Sequence, residues 1–139
     1  MITSIATGAI FICTPTLVWD GDGPIWCAEG PKVRLAAVAA REIDGRCRPR
    51  QPCPRASGLA ARDHLVTLLG GARGATRDGH VRVRAPALRC RPVGPDDYRR
   101  MVAWCSAAGV GDLSCAQVRA KVAVRWAVYG GAHVCRGGS

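Results

Sequence analysis

Thr16-Leu17-Val18-Trp19-Asp20-Gly21-Asp22-Gly23-Pro24-Ile25-Trp26-Cys27 is the stretch whose reading decides the fold. Two β-prone runs, Thr16 to Trp19 and Pro24 to Cys27, flank Asp20-Gly21-Asp22-Gly23, a strong turn signal, so the stretch predicts a β-hairpin. Downstream, Glu29-Gly30-Pro31 predicts a second turn and Val33-Arg34-Leu35-Ala36-Ala37-Val38 a third strand. The chain therefore starts as a β-meander. Upstream lies a short apolar run, Ala9-Ile10-Phe11-Ile12-Cys13, with no Lys or Arg before it. A secretory signal has a positive start and usually a longer apolar stretch. Residues 1–15 read either as a truncated signal or as the first strand.

Beyond the meander, residues 44–53 are too rich in Pro, Arg and polar side chains to be regular and predict a loop. A helix is expected from Pro54, which the first helical turn tolerates, with Leu59, Leu65, Val66 and Leu69 on one side, until Gly70-Gly71 ends it. His80 to Leu88 alternates weakly as a strand, continued by Arg89-Cys90-Arg91 towards a turn at Pro92 to Asp97, with Tyr98 to Cys105 returning as its partner. The Asp112 carboxylate can cap a last helix over Leu113, Val118 and Val122. The glycine-rich tail, residues 130–139, is expected to be loose. No repeat, linker or boundary divides the chain, so one domain over residues 1–139 is expected. Strands with a few helices predict an α+β, mainly β protein, most economically a small closed barrel with helices beside it.

The composition is globular: 48% hydrophobic and 22% charged among 139 residues. The formal net charge is +10, a field that gathers polyanions and points to nucleic acid as partner. The cations are almost all Arg, with Lys only at Lys32 and Lys121. Guanidinium forks suit bidentate phosphate binding, although a GC-rich genome raises Arg and Ala without any function. No stretch is long enough to span a membrane. No protein partner is identifiable, and a monomer is expected. The eight cysteines are even in number and lack C-x-x-C, which argues for disulfides over zinc and for an oxidising, extracytoplasmic compartment, periplasmic or secreted.

Three separated segments occur in a recognisable order: Val18-Trp19-Asp20-Gly21-Asp22; Val33-Arg34-Leu35 with Glu42 eight residues after the Arg; and Asp96-Asp97-Tyr98-Arg99-Arg100-Met101-Val102-Ala103. Together they resemble the staphylococcal nuclease (thermonuclease) family, whose motifs are V-x-D-G-D-T, R-L-x-x-x-D-T-P-E and D-x-Y-G-R-x-x-A. The similarity spans most of residues 16–129. It implies a five-stranded OB-type barrel with flanking helices and hydrolysis of phosphodiester bonds in DNA or RNA. By the same resemblance Asp22 is a Ca2+ ligand, Glu42 the general base or water-positioning carboxylate, and Arg34 and Arg100 the pair holding the scissile phosphate. Tyr98 and Arg99 fall in the substrate-binding hairpin. Attack on a phosphodiester builds charge on the equatorial oxygens, which two guanidiniums and a cation would offset.

The chain departs from the family pattern at the metal. The second metal carboxylate falls on Ala39, the following Thr on Ala40 and the Pro before the Glu on Arg41. Calcium takes roughly six to eight oxygens, so a methyl in place of a carboxylate weakens the site. The Ala40 carbonyl and Asp20 are the remaining candidates to fill it. Gly23, Arg99 and Lys121 are further departures, replacing a Thr and two Gly. Two expectations follow: a nuclease with a weakened or rearranged cation site, or a degenerate, non-catalytic OB-type module that binds nucleic acid or another polyanion through arginines. An exported, disulfide-stapled module with a protein partner is a third.

The local signals have plainer readings. Arg34 on a strand can be a salt-bridged face with Glu42 as partner. Cys47 and Cys53 bracket a short loop and Cys90 and Cys105 flank a hairpin, so both pairs are disulfide candidates, as the exported relatives of the family also suggest; Cys13, Cys27, Cys115 and Cys135 have no assigned partner. His64, His80 and His133 share no metal-like spacing. Trp19, Trp26, Trp104 and Trp126 read first as core and second as base-stacking platforms.

Overall fold

The computed structural model describes residues 9–129 and Cys135. Strands β1 (Phe11–Cys13), β2 (Pro15–Asp20), β3 (Gly23–Cys27), β4 (Lys32–Leu35) and β5 (Val38–Ala39) precede helix α1 (Gly58–Leu68). Then follow β6 (Ala72–Ala75), β7 (Val81–Val83), β8 (Leu88–Pro95), β9 (Met101–Ala107), β10 (Gly111–Asp112), helix α2 (Leu113–Arg119), β11 (Val124–Arg125) and a 3-10 turn, Ala127–Tyr129. Among the described residues the protein is mainly β with two α-helices.

The predicted hairpin is β2–β3, registered Val18↔Ile25 and Asp20↔Gly23 around Gly21-Asp22. The main sheet runs β1-β8-β9-β4-β3-β2-β7-β6, with β10 on β9. β1 and β2 are separated only by Thr14, yet β1 pairs with β8 (Phe11↔Cys90) and β2 with β3. One bent segment thus serves both sides of the sheet and curls it into a half-barrel. β4 and β9 are parallel, with Arg34 opposite Val102. Val18, Ile25, Val33, Leu35, Leu65, Leu88 and Leu113 are each at most 1% exposed and belong to one core shared by the sheet and the two helices. Burying side chains of this size is worth roughly 1.5–3 kcal/mol each.

Four disulfides close the structure: Cys13–Cys27, Cys47–Cys53, Cys90–Cys105 and Cys115–Cys135. Both expected pairs form, and the four cysteines without an assigned partner pair as well. Cys90 and Cys105 are direct cross-strand neighbours on β8 and β9. Four such bonds fit an oxidising compartment. Among the described residues no helix is long and apolar enough to cross a membrane.

Several boundaries differ from expectation. α1 starts at Gly58 rather than Pro54, because the Ser57 hydroxyl caps it by accepting from Ala60 N at 3.0 Å. Leu59 is 50% exposed, and Ala61 occupies the buried face instead. The strand expected from His80 through Arg91 is two strands, β7 and β8, with Arg84-Ala85-Pro86-Ala87 between them, where Pro86 has no N–H to donate to a ladder. Pro92 lies within β8, at a register shift against β9, instead of starting a turn. β6 follows Gly70-Gly71 without a periodic signal, fully exposed along its length. The third strand stops at Leu35; Ala37 takes a φ of 62° and redirects the chain, so Val38–Ala39 pairs with β11 in a second, two-stranded sheet. Asp112 caps α2 as expected, accepting from Cys115 N at 2.9 Å, but the helix ends before Val122. Phe11–Cys13 is a strand, as one of the two N-terminal alternatives has it. Of the tail expected to be loose, only Cys135 is described, buried and bonded to Cys115; His133 lies outside the described residues.

Candidate functional site

The β2–β3 turn is clamped onto both helices. A Cβ on Gly21 would lie 2.3 Å from Ala61 Cβ on α1, so only glycine lets the turn sit that close. From α2, the fully buried Gln117 donates through Nε2 to the Gly21 carbonyl (2.8 Å) and to the Ala61 carbonyl (3.0 Å). Its carbonyl oxygen meets His64 Nδ1. The two acidic residues flanking Gly21 are thereby fixed.

Asp22 Oδ2 accepts from Ala40 N at 3.0 Å and lies 3.5 Å from Arg34 Nη2. Arg34, on β4, is only 4% exposed. Its Nη1 donates to the Leu35 carbonyl at 2.5 Å, and its guanidinium carbon stands 5.8 Å from the centre of the Trp126 ring. A buried guanidinium is costly unless paired and hydrogen-bonded, so its position beside Asp22 is strongly specified. The sheet partner β9 is preceded by the turn that carries Arg100. There Asp96 accepts from Tyr98 N (2.8 Å), Arg100 N (2.9 Å) and Arg100 Nε (2.6 Å). Burial pushes the Asp96 carboxyl up, but these hydrogen bonds and the Arg100 charge outweigh it and hold it below the ordinary Asp range.

Glu42 enters from the loop after β5. Its backbone carbonyl abuts α1, where a Cβ on Gly58 would come within 2.0 Å of it. The Cys47–Cys53 disulfide closes the following loop, which returns two side chains to the same place. Arg48 Nε donates to Glu42 Oε1 at 2.6 Å, and Gln51 Nε2 donates to the Ala40 carbonyl at 2.7 Å. Burial lowers the Arg48 pKa, but the Glu42 charge and hydrogen bond raise it further, so the net shift is upward.

One narrow cleft results, lined by Asp22, Arg34, Glu42, Arg48, Gln51, Arg100 and Trp126. Its free volume is about 10 Å³, on the order of one water molecule. Four of the residues singled out in the sequence, Asp22, Arg34, Glu42 and Arg100, thus converge from four separate segments. Tyr98 stands beside the cleft, 64% exposed, with the guanidinium carbons of Arg48 and Arg100 at 5.1 and 5.2 Å from its ring centre. Arg99 does not line the cleft. It occupies a turn position with φ 62° and is exposed. Arg34 pairs with Asp22, and Glu42 pairs with Arg48 rather than with Arg34.

Arg48, Gln51 and Trp126 were not expected at the site. Arg48 and Gln51 lie in a loop whose breakers hide any spacing, and a 6-residue disulfide loop was the one available signal that it is held in place. The tryptophans are also corrected: only Trp104 is buried, at 7% exposure, while Trp19, Trp26 and Trp126 are half-buried.

Asp20 sits behind Asp22, 5% exposed, with Oδ1 accepting from Asp22 N at 3.3 Å. Burial, then the charge and hydrogen bonding of Asp22 and Glu42, push its pKa up to about 11. Asp20 is therefore protonated in the fold at neutral pH. An unfolded Asp ionises near pH 4, so the native state binds the extra proton and stability falls as pH rises from about 4 towards 11. Asp20→Asn copies the protonated form in shape and hydrogen bonding. It is expected to match the wild type near pH 4 and to exceed it by at least about 2 kcal/mol at pH 8, where one pKa unit is worth about 1.4 kcal/mol. Urea unfolding at the two pH values reads this, and an unchanging difference refutes it.

The donors as they stand do not make a calcium site. Calcium takes roughly six to eight oxygens. Ala39 offers a buried methyl group, the Ala40 carbonyl is engaged by Gln51, and Asp22 Oδ2 by Ala40 N. Among the described residues no group of three or more His, Cys, Asp or Glu side chains is arranged to hold a metal ion, although Asp22 and Glu42 both act on Asp20.

No protein-family model and no curated protein matches this chain.

Proposed function

We propose that the cleft binds a phosphate group of nucleic acid and hydrolyses the phosphodiester there. The observation that carries this is the convergence of Arg34, Arg48 and Arg100 with Glu42 in one narrow cleft. Arg34 is fixed by burial and Arg100 by Asp96, so their charge is already in place where charge develops during attack on phosphorus. Among the described residues lining the cleft, Glu42 is the one acidic group besides Asp22, which Arg34 and Ala40 N already engage. It serves as the acceptor that aims or deprotonates the attacking water, once Arg48 turns from Glu42 to the incoming phosphate. The net charge of +10 draws the polyanion in.

The strand pairing supports the OB-type barrel of the resemblance: a bent first strand shared between β3 and β8, and a parallel β4–β9 step among antiparallel neighbours. The four disulfides support an exported, periplasmic or secreted setting. Asp22 and Glu42 are the carboxylates that would hold a divalent cation once Asp22 leaves Ala40 N and Arg34 and Glu42 leaves Arg48. A second reading, a polyanion binder that does not cut, is favoured by the Arg48–Glu42 pair, which occupies the proposed base.

Incubation of labelled single-stranded DNA and RNA with calcium, magnesium, manganese or EDTA decides between them. Cleavage is expected under at least one condition. Absence of cleavage under all four, with salt-sensitive binding retained, overturns the enzyme in favour of the binder.

A further inference from the structure

Next to the phosphate cleft, and sharing Arg100 with it, lies a second depression of about 450 Å³ whose walls are Trp19, Trp26, His80, Tyr98 and Lys32. The cleft itself has room for little beyond the phosphate, whereas this groove falls within the roughly 300–1,000 Å³ typical of small-ligand pockets. We propose that it is a base-stacking subsite, seating an unpaired nucleobase adjacent to the phosphate held in the cleft. The inference rests on the phosphate-binding role of that cleft.

The groove is built and not an accident of exposed side chains. His80 stands between the two indoles, its ring centre 4.8 Å from that of Trp19 and 5.0 Å from that of Trp26. Asp78 Oδ1 holds His80 Nδ1 at 2.9 Å, and the turn beneath is closed by Thr76 N donating to the His80 carbonyl at 2.9 Å. Arg62 fastens this turn to β2, with Nη1 3.2 Å from the Gly79 carbonyl and 3.4 Å from that of Trp19. The aromatic walls are thus oriented before any ligand arrives, which limits the ordering cost of binding.

The occupant follows from the chemistry. The Trp19 and Trp26 indoles are half-buried and the Tyr98 ring is exposed, and every nucleobase has a π-face to stack on such rings once the cations beside Trp26 and Tyr98 give way. Lys32 Nζ stands over the Trp26 ring, 4.1 Å from its centre, so a base stacking on that face displaces it and leaves its charge beside the strand for the next phosphate. Tyr98 and Arg100 connect the two depressions, so a base and its phosphate can occupy both at once. A base in a duplex has both faces stacked against its neighbours, so the groove selects unpaired strands, whose bases can splay out.

Binding is measured by fluorescence anisotropy with a short single-stranded oligonucleotide and with a strand of the same length made abasic at every position, using Glu42→Gln protein so that neither is cut. The base-bearing strand is expected to bind about tenfold or more tightly than the abasic one, the order that stacking one base supplies. Trp26→Ala is expected to bring the base-bearing strand down towards the abasic value, and Trp26→Phe to restore most of the difference. Equal affinity for both strands, each salt-sensitive, overturns the subsite and leaves the phosphate cleft standing. Failure of both strands to bind overturns the cleft and the subsite together. Loss of the preference in Trp26→Ala with no recovery in Trp26→Phe, when both variants melt as the wild type does, overturns stacking as its cause.

Discussion

Glu42→Gln is expected to lower oligonucleotide cleavage by roughly 100- to 10,000-fold, the range that a positioned general base supplies. Oligonucleotide binding is expected to hold or tighten. The amide keeps an oxygen where Arg48 Nε now donates at 2.6 Å, so the disulfide-closed loop retains its contact. The substitution removes one negative charge from a cleft that already holds Arg34, Arg48 and Arg100, which favours a phosphate. If Glu42 served only to anchor Arg48, Gln would replace it and cleavage would change by no more than a few-fold. Parallel measurement of single-turnover cleavage and of anisotropy titrations separates the two cases. Loss of cutting with unimpaired binding supports the base; near-normal cutting refutes it.

The site was legible wherever a side chain is fixed by short-range turn or strand chemistry. Asp20-Gly21-Asp22-Gly23 makes a turn by its own preferences, and Arg34 lies within β4 and Arg100 just before β9, strands that the apolar pattern marks. What the residues could not reveal is long-range. The partner of Arg34 is settled by the β2–β3 hairpin folding Asp22 against β4, not by nearness in sequence, which pointed to Glu42. Gln117 is a polar residue in a short helix with no periodic signal, yet its two hydrogen bonds join the turn to α1 across 96 and 56 residues. Trp19 and Trp26 alternate with buried Val18 and Ile25, so strand alternation already put them on the opposite face from the core. Composition, which favours tryptophan as core, was the weaker guide there. Pro86 and Pro92 show the converse: Pro86 reads as part of one strand and divides two, while Pro92, which reads as starting a turn, is absorbed by an irregularity in β8.

Arg100→Lys is expected to lower cleavage by about 100-fold and Arg100→Ala by up to about 1,000-fold, the scale on which single charge-stabilising donors act. The argument rests on how Arg100 is divided. Its Nε is committed to Asp96 Oδ2 at 2.6 Å and its backbone N to Asp96 Oδ1, while both terminal Nη groups have no acceptor among the described residues. One edge of the guanidinium therefore fixes its direction and the other is left for a phosphate oxygen. Lysine keeps the charge but has a single nitrogen, which can meet Asp96 or the phosphate and not both in that geometry. The loss in Arg100→Lys is thus expected mainly in kcat, with affinity for the strand falling only a few-fold, because the long-range field is kept. Arg100→Ala removes the charge too, and the slope of log K against log salt for a single strand is expected to become shallower by about 0.7, one phosphate contact's share. A lysine variant that cuts at the wild-type rate would show that charge alone is needed, and that the Asp96 clamp serves the fold of the turn instead of the chemistry.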